Sequence, residues 1–335
     1  MRRTNWTKKA TILLAAVCVA LVSLSALTPA RAQDWLLQVE GVPVSRAVYC
    51  YFLSEARKGI EGKPADMAAL RRDVAARCVE YIAVNSELRA MGVPLDQILK
   101  AQVSDRTAFY WQAYGGYYTS IGVDKPTLNA VLTGQAAREQ LFRALYDVDG
   151  TRETPEEALE EYFYENFVAY EGVRVFRTVM TGDSTEREML PEEAAALKAT
   201  LAEFVSAANE AEDFFGVAQE ERFAQALSYG MAATAVVQKG FAAGGGEVMS
   251  EDDFEKIQGL STEKITLLDL PGFFLVATGV DMREYPEEFY YGYRADCLLA
   301  LKGEEYDKAL RAMYKGFRAD ENVAAVEKLY REWVW

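Results

Sequence analysis

Residues 173–182 read VRVFRTVMTG, and this stretch marks the point where the sequence changes from a helical pattern to a strand pattern. Its β-branched and aromatic residues favour an extended strand. The preceding 125 or so residues, about 45–170, carry apolar side chains at helical spacing, and the pattern becomes helical again from Pro286 onward. The sequence therefore predicts a mostly α protein with an α+β insert between two helical regions.

Helix and strand limits before the insert are indicated by capping residues, prolines and glycines. Alternation in residues 36–44 predicts two short strands around a turn at Gly41, and Ser45 is a good N-cap for the helix that follows. Thr154 is expected to cap a later helix, with Pro155 in its first turn. The further helices predicted here are 65–91, 94–114, 124–147 and 155–168.

The insert and the end of the chain are predicted by the same signals. No internal repeat is visible. The insert is expected to contain helices at 191–212 and 217–228, a glycine-rich loop at 244–246, a short helix capped by Ser250, and strands at 264–269 and 273–280.

Composition limits the class of protein. The 335 residues are half apolar and 26% charged, which is typical of a soluble globular chain of two or three domains and argues against low-complexity disorder. The chain has no histidine, which excludes Ser-His-Asp and Cys-His catalysis. Without histidine or a CxxC pair, a zinc site is not expected, and neither a metal nor a cofactor is predicted.

The first 32 residues have the pattern of a secretory signal peptide. A basic start is followed by the apolar run ATILLAAVCVALVSLSAL and by the small-x-small sequence Ala30-Arg31-Ala32, which predicts cleavage after Ala32. An uncleaved membrane anchor is the alternative, because 18 apolar residues could just span a bilayer. Both interpretations place the rest of the chain outside the cytoplasm, in the periplasm, at the cell surface or secreted.

The net charge limits the classes of binding partner, and the cysteine count bears on disulfide bonding. Cleavage would leave 31 Lys and Arg against 51 Asp and Glu, a net charge of −20. Such a surface repels nucleic acid and anionic lipid and tolerates basic polypeptides, although a solvated surface without a specific partner fits equally well. Three cysteines remain, an odd number that does not indicate a disulfide framework, although Cys50 and Cys78 could bridge two predicted helices.

Aromatic residues give a separate signal. Four tyrosines lie at helical spacing on one face of a predicted helix: Tyr110, Tyr114, Tyr117 and Tyr118. Tyrosine offers broad contact area with a polar tip, which suits the binding of varied unfolded segments. The alternative is that this face packs the helix against its neighbours.

The order of these elements resembles the bacterial extracytoplasmic foldases of the SurA and PrsA type. The stretches LLQVEGVPVSRAVYCYFL, GVDKPTLNAVLTGQAAREQLFRALY and TPEEALEEYFYENFVAYEGVRVFRTVM carry the resemblance, which covers most of 35–282. It implies a SurA-like helical chaperone domain built from both chain ends, with a parvulin (PpiC-type) prolyl isomerase domain between. The implied limits are a signal peptide at 1–32, a chaperone domain at 33–170, a parvulin-like domain at 171–282, and C-terminal helices at 283–335 that pack on the chaperone domain.

The parvulin-like region departs from the family at two positions. Members usually carry a histidine in the first strand, where this chain has Arg177, and a second in the last strand, where it has Phe274. Arginine only donates hydrogen bonds and phenylalanine makes none, so the pair cannot reproduce an imidazole network. No catalytic residue is therefore expected at Arg177 or Phe274. Taken singly, Phe274 is most simply a core strand residue, and Arg177 a strand residue with its head in solvent.

Three hypotheses follow for function. The first is an extracytoplasmic chaperone that binds unfolded polypeptide clients, with prolyl isomerase activity weak or lost. The second is a working prolyl isomerase with a rebuilt site. The third is an envelope assembly protein that uses the foldase fold for interaction. None of the three involves nucleic acid, and contact with a membrane is expected only through an uncleaved signal segment.

Overall fold

The structure is a computed structural model that describes residues 35–58, 66–180, 185–228, 230–240 and 250–333. The expected cleavage residues Ala30 and Ala32 and the loop at 244–246 lie outside the described residues. The chain divides into two compact units, the first formed by Met1–Thr154 with Lys302–Trp335 and the second by Pro155–Leu301.

The described elements follow the order that the sequence pattern predicts, with helices on both sides of a strand-rich segment. This order confirms a mostly α fold with an α+β insert. The elements are β1 (Leu37–Val39), β2 (Val42–Val44), α1 (Arg46–Lys58), α2 (Met67–Met91), α3 (Gln97–Ser120), α4 (Lys125–Tyr146), α5 (Glu156–Asn166), β3 (Phe167–Phe176), β4 (Thr178–Met180), β5 (Glu186–Glu188), α6 (Pro191–Ala211), α7 (Phe214–Ala218), α8 (Glu221–Leu227), β6 (Gly230–Gln238), α9 (Glu251–Gln258), β7 (Thr266–Leu270), β8 (Phe273–Val280), α10 (Tyr290–Tyr314), β9 (Ala319–Glu321) and α11 (Val323–Trp333).

In the first unit, segments from the two ends of the chain share a small sheet and one core. Strand β1 pairs antiparallel with β2 and with β9, so that Leu37 lies opposite both Val44 and Glu321. The apolar faces of α1 to α4 and of α11 meet in a single cluster that includes Leu53 and Val326. Helices α2, α3 and α4 each begin at an aspartate whose carboxylate accepts backbone N–H bonds, which fixes where they start.

The second unit is built on a four-stranded antiparallel sheet in the order β6-β3-β8-β7. Helices α6, α7 and α8 cover the face that carries Val175 and Phe274, and α9 covers the opposite face. At Gly172 strand β3 leaves no room for a side chain beside β8, because a Cβ there would fall 2.2 Å from the Val276 carbonyl oxygen. Only glycine permits this pairing without a backbone shift.

Several boundaries differ from the sequence expectations. Strand 273–280 was predicted with the limits of β8, and α6 ends one residue early. Helix α3, by contrast, continues through Gly115 to Ser120 instead of ending at 114, because Tyr118 packs in the core beyond the glycines. Thr154 does not cap α5, whose N-cap is Pro155 without a side-chain bond.

Two strands were missed or shortened by sequence reasoning. Strand β3 begins at Phe167, within the predicted helix 155–168, and β6 was not predicted at all. Both strands are alanine- or glycine-containing segments that become extended because they pair with each other over nine residue pairs. Tertiary pairing here overrides weak local preference.

The unit limits fall at 154/155 and after Leu301, and not at the expected 170/171 and 282/283. Helix α5 joins the second unit because Phe163 stacks on Phe167 at 4.9 Å and meets Tyr290 edge-on at 5.6 Å. Helix α10 begins in the second unit and ends in the first.

The three cysteines within the described residues, Cys50, Cys78 and Cys297, are buried free thiols, so the suggested bridge between Cys50 and Cys78 is not formed. Burial raises the pKa of the Cys50 thiol to about 11 and that of Cys78 to about 12, which keeps both protonated and unreactive near neutral pH. Among the helices of the described ranges, none has the length and apolarity needed to cross a bilayer.

Candidate functional site

The two positions at which the parvulin histidines were expected are neighbours in the structure. Phe274 in β8 lies opposite Val175 in β3, and Arg177 follows β3 with its backbone N–H donating to the Gly272 carbonyl at 3.0 Å. Residues two apart on a strand share a face of the sheet, so Arg177 and Phe274 project to the same side. The guanidinium carbon of Arg177 lies 4.4 Å from the centre of the Phe274 ring.

A small ionic cluster fixes the arginine over this ring. The Arg177 guanidinium donates to the Asp269 carboxylate and, at 3.1 Å, to the Leu270 carbonyl. Lys198 on α6 donates to the second Asp269 oxygen at 2.8 Å. The Arg177 side chain is 31% exposed, so its head is held by the cluster and by the ring and does not extend freely into solvent. Sequence reasoning missed Asp269 and Lys198, although Asp269 is the one charge in the run TLLDL.

The ring beneath the arginine belongs to the core. Phe274 is 1% exposed and packs with Val175, Leu197 and Leu201. A bound proline needs an apolar recess beside groups that stabilise a twisted amide, and at this position the recess is filled by the phenylalanine and closed by Arg177. The core interpretation of Phe274 is therefore confirmed. In the part of the chain that the structure describes, no group of three acidic or cysteine side chains could hold a metal ion.

Helix α3 carries the second candidate site, on a face that changes environment along the helix. Leu99 and Val103 on this face are 2% and 4% exposed, because they pack into the core of the first unit. Tyr114 and Tyr117 follow on the same face, since helix residues separated by a multiple of about 3.6 positions point in the same direction. They are 54% and 48% exposed. This apolar stripe is therefore buried in the core near the start of α3 and exposed at the surface further along the helix.

The four predicted tyrosines do not share one environment. Tyr118 is 7% exposed and stacks on Tyr51 at 6.3 Å, so it belongs to the core and not to the exposed face. Tyr110 is half-buried against the same core, and its ring lies 6.5 Å from that of Tyr114. The Tyr117 hydroxyl is 2.7 Å from the Ser54 hydroxyl oxygen, which anchors an otherwise exposed ring.

Phe109 adds an aromatic ring that the sequence analysis did not single out. It is 64% exposed, and its ring lies 5.6 Å from that of Tyr110. Its place in the run FYW at 109–111 was the available signal. We call the set Phe109, Tyr110, Tyr114 and Tyr117 the α3 aromatic surface. A group of large exposed rings is uncommon on a soluble domain and is typical of surfaces that bind apolar partners.

Comparison with known proteins gives little further information. No family model matches the chain, and no curated protein matches it. Solved structures that resemble it include the foldase protein PrsA from Lactococcus lactis, at 11% identity and a TM-score of 0.35, over 89% of this chain and 98% of that one. Another is the foldase protein PrsA from Streptococcus pneumoniae strain Canada MDR_19A, at 13% identity and a TM-score of 0.33, over 74% and 85% of the two chains. At TM-scores this low the chains do not superpose as wholes.

Proposed function

We propose that this protein is an extracytoplasmic chaperone that binds unfolded or extended polypeptides and has lost most or all prolyl isomerase activity. Its location outside the cytoplasm rests on the signal-peptide pattern of residues 1–32. The observation that carries the proposal is the α3 aromatic surface, where Phe109, Tyr114 and Tyr117 are 64%, 54% and 48% exposed on one helix.

The size of these contacts suits weak and general binding. An exposed ring that becomes buried against a client contributes about 1–2 kcal/mol after the ordering of side chains is subtracted. Three or four rings then give micromolar affinity at best, which permits release. A tyrosine ring also carries a hydroxyl that can bond the polar groups of a client.

A working isomerase with a rebuilt site is the second candidate, since Arg177, Asp269 and Lys198 form a polar cluster at the degenerate positions. Two facts argue against it. The Asp269 carboxylate already accepts hydrogen bonds from both Arg177 and Lys198, and Phe274 beneath the cluster is 1% exposed, which leaves no recess for a proline ring at this position.

The proposal is tested by suppression of client aggregation. We choose Phe109→Ser with Tyr114→Ser, because neither ring has the structural anchor of Tyr117, and Ile98→Ser as the matched control. Ile98 is 67% exposed on the same helix but lies outside the α3 aromatic surface. The double variant is expected to lose most of its suppression of the aggregation of a chemically denatured client, while Ile98→Ser keeps it. Equal activity of the two variants at equal melting temperature would contradict the proposal.

A further inference from the structure

Strand β6 is a long sheet edge without the usual protection. It occupies the end of the order β6-β3-β8-β7, and its one strand neighbour among the described residues is β3. The sequence GMAATAVVQ contains no charge and no proline over nine residues. The other edge, β7, has five residues and carries Asp269. Natural proteins usually blunt an edge with charges, proline or shortness, so β6 is suited to pair with another strand.

A cleft of about 480 Å³ lies next to this edge, on the sheet face covered further along by α6 and α8. Its floor includes Ala232 and Thr234 of β6 and Glu171 of β3, and Phe214 and Phe215 line its wall. Thr234 lies directly opposite Glu171 in the ladder. Because Ala232 and Thr234 are small, the cleft stays open between the edge and Glu171.

The charge and the apolar side chains that line this cleft indicate which kind of strand would fit it. Glu171 is the one charged residue among the described residues that line the cleft, and Phe215 is 75% exposed beside it. A complementary strand therefore carries apolar side chains and one cation on the face toward the cleft. A second copy of β6 fits poorly, because it has no cation to offer Glu171 and because the chains repel each other at a net charge of −15.

We propose that the second unit binds an extended polypeptide segment as an added antiparallel strand along β6, with a lysine or arginine of that segment directed to Glu171. Roughly four residues of β6 direct their N–H and C=O groups away from β3 and are placed to bond the added strand. The added strand would lie about 10 Å from β3, a distance that a lysine and a glutamate side chain span together across Thr234. This inference rests on the proposed function, since it names a second contact for the same class of client.

The experiment uses the full chain and a fluorescein-labelled peptide, TVTKTVTVT, whose valines and lysine share one face. Fluorescence anisotropy measures binding, and hydrogen exchange measures protection of residues 230–238. We expect the peptide to bind and to slow exchange in this segment. The same peptide with glutamate in place of lysine should bind about fivefold or more weakly, and a version N-methylated at its four central residues should not bind.

Two substitutions locate the contact. Thr234→Lys places a competing cation in the cleft and should weaken binding tenfold or more, whereas Met231→Lys puts the same charge on the opposite face of β6 and should change it less than twofold. Glu171→Gln should reduce the preference for the lysine peptide about threefold while leaving the melting temperature unchanged. Equal binding of the N-methylated peptide, or equal weakening by the two lysine substitutions, would overturn the proposal.

Further outcomes separate this proposal from that of the α3 aromatic surface. Concentration-dependent dimerisation that protects 230–238 without peptide would show that a second copy is the occupant and would overturn the proposal. Loss of peptide binding in Phe109→Ser with Tyr114→Ser, without any protection at β6, would overturn strand addition and leave the chaperone proposal standing. Normal protection at β6, together with aggregation suppression that the aromatic substitutions leave unchanged, would overturn the role of the α3 aromatic surface and leave strand addition at β6 standing.

Discussion

The sharpest distinction that the structure draws is between Tyr114 and Tyr118, two tyrosines four residues apart on one helix. Tyr118 is 7% exposed and stacks on Tyr51, whereas Tyr114 is 54% exposed. Replacing each by alanine in turn tests whether the surface and the core have been assigned correctly. The two substitutions remove the same atoms from the same helix, so they serve as controls for each other.

The expected losses in the free energy of unfolding differ by almost an order of magnitude between the two substitutions. Tyr118→Ala removes a buried ring and should lower the free energy of unfolding by about 3–5 kcal/mol. For a unit of this size each kcal/mol shifts the melting temperature by roughly 2–4 °C, which predicts a fall of about 6–20 °C. Tyr114→Ala changes a surface residue and should stay within about 0.5 kcal/mol, a shift of less than about 2 °C.

Scanning calorimetry of both variants beside the unchanged protein gives the comparison directly. Equal losses of melting temperature for Tyr114→Ala and Tyr118→Ala would refute the assignment, because Tyr114 would then be a core residue. A stable Tyr118→Ala variant would refute it equally.

Three other predictions follow from individual contacts. Gly134→Ala should destabilise the protein by about 1–3 kcal/mol, because the new Cβ would lie 2.4 Å from the Tyr81 ring. In Gly116→Ala the new Cβ meets nothing within 4 Å, so this change should stabilise α3 by about 0.5–1 kcal/mol. Urea unfolding measures both free-energy changes. The protein should accelerate the isomerisation of a proline tetrapeptide little or not at all, and a rate comparable to that of an active parvulin, abolished by Arg177→Ala, would contradict this. Asp253→Asn should reduce stability at pH 7, and the difference from the unchanged protein should vanish as the pH falls well below about 4.

The sign of the pH effect comes from the contacts of Asp253. The Lys256 ammonium at 2.7 Å and then the Ser250 hydroxyl at 2.6 Å hold the pKa of this carboxyl below its usual range. A carboxyl with a lowered pKa in the folded state stabilises that state above its unfolded pKa and loses the contribution as it is protonated. A difference between Asp253→Asn and the unchanged protein that grows on acidification would contradict this account.

Local patterns predicted those elements whose signals agree with their packing. Strand β8 was predictable because Pro271-Gly272 opens it and an apolar run follows, and α6 because Pro191 and two glutamates mark its first turn. Strand β6 was not, since its alanines favour a helix and only pairing with β3 makes it extended.

The candidate site was predictable in part for a similar reason. Helical spacing groups Tyr114 with Tyr118, but the predicted helix ends at 114 and the two rings lie in different environments. Residue spacing does not indicate where a helix face stops packing against its neighbours. Burial of Tyr118 and exposure of Phe109 depend on helices far away in sequence, such as α1 through Tyr51. The resemblance inferred from the sequence pointed to positions 177 and 274, and the structure shows that Arg177 lies over the Phe274 ring and pairs with Asp269.

Cross-linking from the α3 aromatic surface tests the central claim most directly. A photoreactive benzoylphenylalanine at position 114 is compared with the same group at position 98 of the same helix, where the native side chain is 67% exposed against 54% at position 114. Each protein is illuminated with one client, either chemically unfolded or native. We predict cross-links from position 114 to the unfolded client alone and none from position 98. Equal cross-linking from the two positions, or equal capture of native and unfolded client at position 114, would contradict the claim that this surface binds unfolded polypeptides.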